Sequence, residues 1–185
     1  MFMHNKIKVL GSLIAAALVA ACATPDDTAN VTPTRGPNLG ATPSAAMLAA
    51  MDISIPPSGA GLPAGSGSVA QGEKVYAAKC QTCHGAKGVG KPADPLAGGI
   101  GSLASGKPMR TVGSYWPYAT TLFDYTRRAM PTTQPMSLSN EETYAVTAYV
   151  LHLNGIVPES AVMNAQTLPQ VKMPNRDGFI DYSKK

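Results

Sequence analysis

The sequence predicts an all-α domain of short helices that follows a flexible linker. Two helix-start patterns and one long stretch of biased composition support this prediction. Ser68 is suited to cap a helix from Val69 to Lys79, and Ser139-Asn140-Glu141-Glu142 matches the S-x-x-E capping box of another helix. Residues 24–68 are rich in Pro, Gly, Ala, Ser and Thr. No ladder of strands and no internal repeat is predicted.

The first residues have the pattern of an export signal. Lys6 and Lys8 precede an apolar run from Val9 to Ala20, which is too short to cross a bilayer comfortably. Residues 1–21 are therefore predicted to be a signal peptide, which implies a periplasmic protein.

Cys22 is the predicted site of lipidation. Leu18-Val19-Ala20-Ala21-Cys22 resembles the lipobox of bacterial lipoproteins, in which the cysteine becomes the lipidated first residue. Ordinary cleavage at the A-x-A-like site Ala21-Cys22-Ala23 is the alternative. Lipidation would anchor the protein to a membrane, and Ala23 after the cysteine favours the outer membrane by the same resemblance.

Residues 22–67 form the predicted linker. Their composition buries too little apolar surface to offset chain entropy, so a flexible, lipid-anchored tether is expected, with a short helix near Ala45–Met51. The formal net charge of the whole chain is +4, two of these charges being the lysines of the signal. Without a basic cluster, no nucleic-acid partner is predicted.

Cys80-Gln81-Thr82-Cys83-His84 is the most specific motif in the chain. C-x-x-C-H attaches a c-type haem: the two thiols add to the haem vinyl groups, and the histidine ligates the iron. A zinc site would need a second pair of ligands, and only Cys22, His4 and His152 remain. A thioredoxin-like site should follow a strand, whereas the residues before Cys80 have a helical pattern. The sequence therefore predicts one covalent haem c.

The rest of the domain is predicted to be helical apart from one long loop. Gly85 to Gly113 contains many glycines and is expected to wrap the haem edge. Helices are predicted from about Thr120 to Ala129 and from Ser139 to Asn154, the second ended by Gly155. These elements place the folded domain at residues 68–164, with residues 165–185 as a tail that packs on or near it.

Two features resemble class I cytochromes c. Gly72 and Tyr76 lie on one helical face just before C-x-x-C-H, as in the N-terminal helix of that family, which crosses the C-terminal helix closely. Met130-Pro131 follows one helix and precedes the last, where that family places its methionine ligand. The resemblance implies a class I cytochrome c fold, with short helices wrapped around the haem and His84 and Met130 as its axial ligands.

Other side chains compete with Met130 as the sixth ligand. The other candidates after His84 are Met109, Met136, Met163, Met173, which would have to fold back over the haem, and His152, which would give bis-histidine ligation. Methionine ligation favours ferrous iron and suits electron transfer. An open sixth position would instead indicate a haem sensor or a peroxidase.

A longer resemblance covers roughly residues 71–180. The run from Thr111 to Pro131, Tyr144 to Leu151, and the tail Met173 to Phe179 are similar to cytochrome c subunits of periplasmic molybdenum sulfite dehydrogenases and sulfane dehydrogenases. The resemblance implies an electron-transfer protein without catalytic residues. Its donor would be such a dehydrogenase, and its acceptor another cytochrome or a terminal oxidase. A general membrane-tethered shuttle is the alternative.

Four further residues take roles from this resemblance. Trp116 and Tyr118 are expected to line the haem pocket, the alternative being ordinary core aromatics. Arg127 and Arg128 are candidates to pair with haem propionates or with an acidic partner, against the alternative of solvated helix charges.

Overall fold

The computed structural model describes residues 40–184. Its helices are α1 (Ala45–Met51), α2 (Val69–Lys79), α3 (Gln81–His84), α4 (Val112–Tyr115), α5 (Ala119–Ala129) and α6 (Asn140–Leu153). Its strands are β1 (Ser66–Ser68) and β2 (Val162–Asn164). The predicted signal peptide, Cys22 and the first part of the linker lie outside the described residues. Across residues 40–184, no helix has the length and apolar character needed to cross a membrane.

The predicted helix starts are confirmed. The Ser68 hydroxyl accepts a hydrogen bond from the Gln71 backbone N–H, and the Gln71 side chain accepts one from the Ser68 N–H, which completes a capping box. Ser139 and Glu142 form the same reciprocal pair at the start of α6. Each box satisfies backbone donors that a helix start otherwise leaves without partners.

α2 crosses α6 at very short range, as predicted. A Cβ atom on Gly72 would lie 2.8 Å from the Tyr149 Cβ and still closer to the Ala145 backbone, so only glycine permits this approach. Next to the crossing, the Tyr76 and Tyr149 rings pack at 5.2 Å between centroids. At the C-terminal end of α2, the Lys79 ammonium donates to the Glu142 carboxylate of α6 at 2.6 Å. This crossing places the end of α2, and hence the C-x-x-C-H motif, against the body of the domain.

The core lies between α6 and the elements around it. Phe123 of α5 and Tyr144 of α6 are fully buried, with ring centroids 4.4 Å apart. Nine consecutive residues of α6, from Thr143 to Leu151, are buried. A helix buried nearly all round is a central element of a small domain.

A short antiparallel strand pair departs from the prediction that no strands pair. β1 and β2 are three residues each, with Gly67 opposite Met163. A Cβ on Gly67 would lie 2.2 Å from the Ala145 nitrogen, so β1 runs directly over α6. Strands of three residues are too short to show an alternating pattern in the sequence.

Residues 54–65, which composition assigns to the flexible linker, lie against the domain and are called the strap here. Ile55 is buried and its N–H donates to the Asp124 carboxylate at 3.0 Å. The Tyr144 hydroxyl donates to the Pro63 carbonyl at 2.8 Å. Composition misses this packing because the strap contributes mainly backbone groups, which every residue carries.

The tail after β2 also contacts the domain. Leu168 and Met173 are buried, and the Asn175 amide donates to the Tyr115 carbonyl at 2.7 Å. The Phe179 ring packs edge-on against the Tyr115 ring at 5.2 Å. The tail therefore packs against the end of α4.

Candidate haem site

The C-x-x-C-H motif lies where α2 ends and α3 begins. The Cys80 N–H donates to the Tyr76 carbonyl at 2.9 Å, and the His84 N–H donates to the Cys80 carbonyl at 3.0 Å. Residues three and four positions apart in such a turn share a face. One helical turn therefore brings two thiols and an imidazole together.

The two thiols differ in burial. Cys83 is exposed, whereas Cys80 is partly buried, and both are free. Burial, the largest cause, raises the pKa of Cys80 to about 11, against a smaller lowering by Lys79. Cysteines of thioredoxin-like sites have lowered pKa values. The environment of Cys80 therefore argues against a thiol redox centre.

One ring nitrogen of His84 is engaged by the backbone. The Nδ1 atom lies 3.0 Å from the Asp94 carbonyl oxygen, and because a carbonyl only accepts, Nδ1 carries the proton. The Nε2 lone pair is then the free electron pair of the neutral ring, the tautomer that a metal ligand needs. Sequence reasoning missed Asp94 because its contribution is a backbone atom.

The loop after the motif folds back onto it. The Gly90 N–H donates to the His84 carbonyl at 2.8 Å, and the Ala93 N–H donates to the Cys83 carbonyl at 2.9 Å. The Tyr76 hydroxyl donates to the Gly85 carbonyl at 2.9 Å. These bonds hold the motif from both sides.

Met130 ends α5. Its N–H donates to the Thr126 carbonyl at 3.1 Å, its side chain is half-buried, and Pro131 follows. Ligation of the iron by the Met130 thioether stays a prediction.

The competing ligands lie in other environments. Met136 is 62% exposed and has a positive φ of 62°, whereas Met173 is only 3% exposed and belongs to the core cluster. His152 lies on α6 with its Nδ1 3.2 Å from the Val157 carbonyl oxygen. Among Met130, Met136 and Met173, Met130 is the one whose side chain is half-buried and lies at a helix end.

The predicted pocket aromatics are both half-buried. The Trp116 ring packs edge-on against the Tyr125 ring at 5.7 Å between centroids. The Arg176 guanidinium lies 4.3 Å above the centre of the Tyr118 ring. The pocket-lining roles of Trp116 and Tyr118 stay predictions.

Arg128 has a partner within its own helix. Its guanidinium makes two hydrogen bonds to the Asp124 carboxylate one turn earlier. The same carboxylate accepts from the strap at Ile55. Arg128 is thereby committed to a structural pair, which does not favour the predicted role with haem propionates.

The residues present fit a covalently attached haem. Two thiols and an imidazole with a free Nε2 share one helical turn, which is the donor set that C-x-x-C-H supplies. The glycine-rich loop beside them exposes large apolar side chains, with Val89 70%, Ile100 51% and Met109 45% exposed. Such apolar exposure is what a large apolar group would cover.

Comparison with known proteins agrees with this chemistry. Residues 67–150 match a family model described as Cytochrome C oxidase, cbb3-type, subunit III. The chain is also similar to the crystal structure of the sulfane dehydrogenase SoxCD from Paracoccus pantotrophus, at 40% sequence identity and a TM-score of 0.74. That alignment covers 80% of this chain and 74% of the other. No curated protein matches the chain.

Proposed function

This chain belongs to the cytochrome c family and holds one covalent haem c, as predicted, and we propose that it accepts single electrons from a sulfur-compound dehydrogenase. The observation that carries this proposal is the 40% identity to a structure of a sulfane dehydrogenase over 80% of the chain. Electrons would then pass to another cytochrome or to a terminal oxidase. In this role the chain is a carrier, or a non-catalytic subunit, rather than an enzyme.

Four residues would hold and ligate the cofactor in this proposal. Cys80 and Cys83 would form the thioether bonds, and His84 and Met130 would ligate the iron. When bound, the haem supplies the Fe(III)/Fe(II) couple. His84 is oriented for ligation by its bond to the Asp94 carbonyl at 3.0 Å. The Met130 thioether, a soft donor, favours the ferrous state and so makes the protein a good electron acceptor.

The rest of the chain keeps this site rigid. The close crossing of α2 over α6 at Gly72 and the Lys79–Glu142 ion pair hold the helix that leads into the motif. Little rearrangement between oxidation states suits fast electron transfer. Trp116 and Tyr118 line the pocket in this proposal, as in the resemblance that suggested them.

The proposed location is the periplasm, with Cys22 lipidated at a membrane. The export pattern of residues 1–21 and the lipobox-like sequence before Cys22 support it. Mass spectrometry of the N-terminal peptide would test it directly. A peptide that begins at Cys22 with an acylated thiol is expected, and a free Cys22 would contradict the anchor.

A molybdenum sulfite or sulfane dehydrogenase is the proposed donor. The purified protein should be reduced by sulfite or a sulfane substrate only when the dehydrogenase is added, and the two should copurify. Reduction with equal rates by several unrelated donors would contradict a dedicated partner. That outcome would favour the second candidate, a membrane-tethered shuttle that serves an oxidase, to which the match with an oxidase-subunit family gives separate support.

A further inference from the structure

The orientation of His84 depends on a loop without regular structure. The carbonyl that accepts the Nδ1 proton belongs to Asp94, and residues 91–98 form no helix or strand. Asp94 itself is exposed. The Ala93 N–H donates to the Cys83 carbonyl on one side of Asp94, and the Leu96 N–H donates to the Gly88 carbonyl on the other. Further bonds to this loop come from residues distant in the sequence.

Asn154, directly after α6, binds this loop two and four residues beyond Asp94. Its Nδ2 donates to the Leu96 carbonyl at 3.0 Å, and its Oδ1 accepts from the Gly98 N–H at 3.1 Å. The second Nδ2 hydrogen is donated to the Val150 carbonyl of α6 at 2.9 Å. Asn154 is only 8% exposed, so both ends of its amide are committed within the protein.

The surroundings of Asn154 are shaped to hold it. A Cβ atom on Gly113 would lie 2.3 Å from the Asn154 Oδ1, so glycine at the start of α4 makes the space. The Val112 N–H donates to the Leu96 carbonyl at 3.2 Å, and the Thr111 hydroxyl donates to the Gly98 carbonyl at 2.6 Å. Leu96 and Gly98 are thus clamped between α4 and the end of α6.

We infer that Asn154 is a positioning residue for His84. By fixing the Asp94 carbonyl, Asn154 sets the basicity of the His84 imidazole that would ligate the iron. Hydrogen bonding of the outer ring nitrogen orients a metal-bound histidine and raises its basicity. A more basic imidazole stabilises ferric iron, so a firm Asp94 bond lowers the reduction potential. This inference rests on the proposed ligation of iron by His84.

Two variants of the full-length holoprotein test the role. Asn154→Asp keeps an acceptor for the Gly98 N–H, but its carboxylate has no donor for the Leu96 and Val150 carbonyls. Asn154→Leu removes all three hydrogen bonds. Each should shift the Fe(II)/Fe(III) equilibrium towards the ferrous state about threefold to tenfold, which is about 28 to 59 mV for a one-electron couple. The Nδ1–H resonance of His84 in the ferrous protein should move upfield and exchange faster with solvent.

Asn175→Ala is the matched control. It also removes an amide that donates to a backbone carbonyl, that of Tyr115 at 2.7 Å, but it leaves the loop at residues 94–98 untouched. Its potential and its Nδ1–H resonance should equal those of the wild type. An unchanged potential in both Asn154 variants, or an equal shift in Asn175→Ala, would overturn the role of Asn154.

A measurement on the wild type keeps the inference testable where the variants do not fold. If Asn154 controls the loop, one opening exposes both the Gly98 N–H and the His84 Nδ1–H. Their protection factors in the ferrous protein, each taken relative to the intrinsic exchange rate of that kind of N–H group, should therefore be similar. A protection factor of the His84 Nδ1–H more than tenfold below that of the Gly98 N–H would contradict the clamp. The His84 ring resonances decide ligation separately: a ring unshifted by the porphyrin would contradict the proposed ligand and not the clamp.

Discussion

Gly72 of α2 lies so close to Ala145 of α6 that a Cβ atom on Gly72 would come within 1.9 Å of the Ala145 carbonyl oxygen. The two atoms nearest to that Cβ position are the carbonyl oxygen and carbonyl carbon of Ala145. They belong to the backbone, which cannot move aside as a flexible side chain can. The distance between the two helices is therefore set by the absence of a side chain at one position.

Gly72→Ala should destabilise the protein strongly. Inside a helix this change ordinarily stabilises by up to about 1 kcal/mol. Here the clash with the Ala145 backbone forces α2 away from α6, and we expect a net loss of about 3 kcal/mol or more. Urea unfolding measures it. Gly106→Ala is the control, because nothing lies within 4 Å of that position, and a similar loss there would contradict the clash.

Met130→Ala should remove the proposed sixth ligand of the iron. The Met–iron charge-transfer band of the ferric protein should disappear, and the ferrous protein should bind CO readily because a coordination position opens. Met136→Ala, at a side chain that is 62% exposed, should keep the band. Loss of the band in Met136→Ala and its survival in Met130→Ala would reverse the assignment.

The Lys79–Glu142 pair should make stability depend on acid pH. The hydrogen bond from Lys79, followed by that from the Ser139 N–H, lowers the pKa of Glu142 below its ordinary value in the folded protein. A lowered folded-state pKa stabilises above the unfolded pKa of about 4.3, and the contribution is lost as pH falls through the folded value.

Glu142→Gln isolates this charge, since glutamine retains the acceptor of the capping box. The variant should be less stable than the wild type at pH 7 by less than about 1 kcal/mol, because both partners are partly exposed and screened. The difference should shrink as the pH falls below the unfolded-state pKa of about 4.3, and it should also shrink in high salt. Glu73→Gln, an exposed charge on α2, is the control and should show neither dependence.

Thr147→Val should stabilise the protein. Thr147 is 1% exposed, and its hydroxyl has no hydrogen-bond partner among residues 40–184. Removing a buried unsatisfied hydroxyl without changing the shape of the side chain should add about 1 kcal/mol to the free energy of unfolding.

Thr143→Val provides the matched comparison on the same helix. Its hydroxyl is equally buried but donates to the Ser139 carbonyl at 2.8 Å, so this change should lower stability by about 0.5 to 1 kcal/mol. Thermal unfolding of both variants measures the difference. Shifts of the same sign and size would show that hydrogen bonding does not distinguish the two hydroxyls.

Ile55→Ala should destabilise the folded domain although residue 55 lies in the segment assigned by composition to the linker. Its side chain is 6% exposed against the core, and removing it leaves a cavity that costs about 2 kcal/mol. Met51→Ala, at a side chain that is 77% exposed, should change stability by less than about 0.5 kcal/mol. Equally small effects at both positions would show that the strap does not contribute to the stability of the domain, as the linker prediction implies.

The helices could be predicted from the sequence because their signals are local. The caps at Ser68 and Ser139 use side chains three residues apart, and the glycine at position 155 ends α6 with a positive φ of 66°. The short strands and the strap could not be predicted, since their hydrogen bonds are made largely by backbone groups over long separations and Ile55 is the one buried side chain of the strap. The strap carbonyl of Pro63 meets Tyr144 across 81 positions, for example.

By itself, the sequence determined the cofactor chemistry of this protein, because Cys80, Cys83 and His84 lie within one helical turn and need no distant residue to form their motif. Only the tertiary structure decided how that motif is supported. His84 meets a carbonyl of Asp94, and Asn154 meets the same loop from 56 and 58 positions away. A backbone carbonyl has no residue-type signature, so such partners become known only when the path of the chain is known.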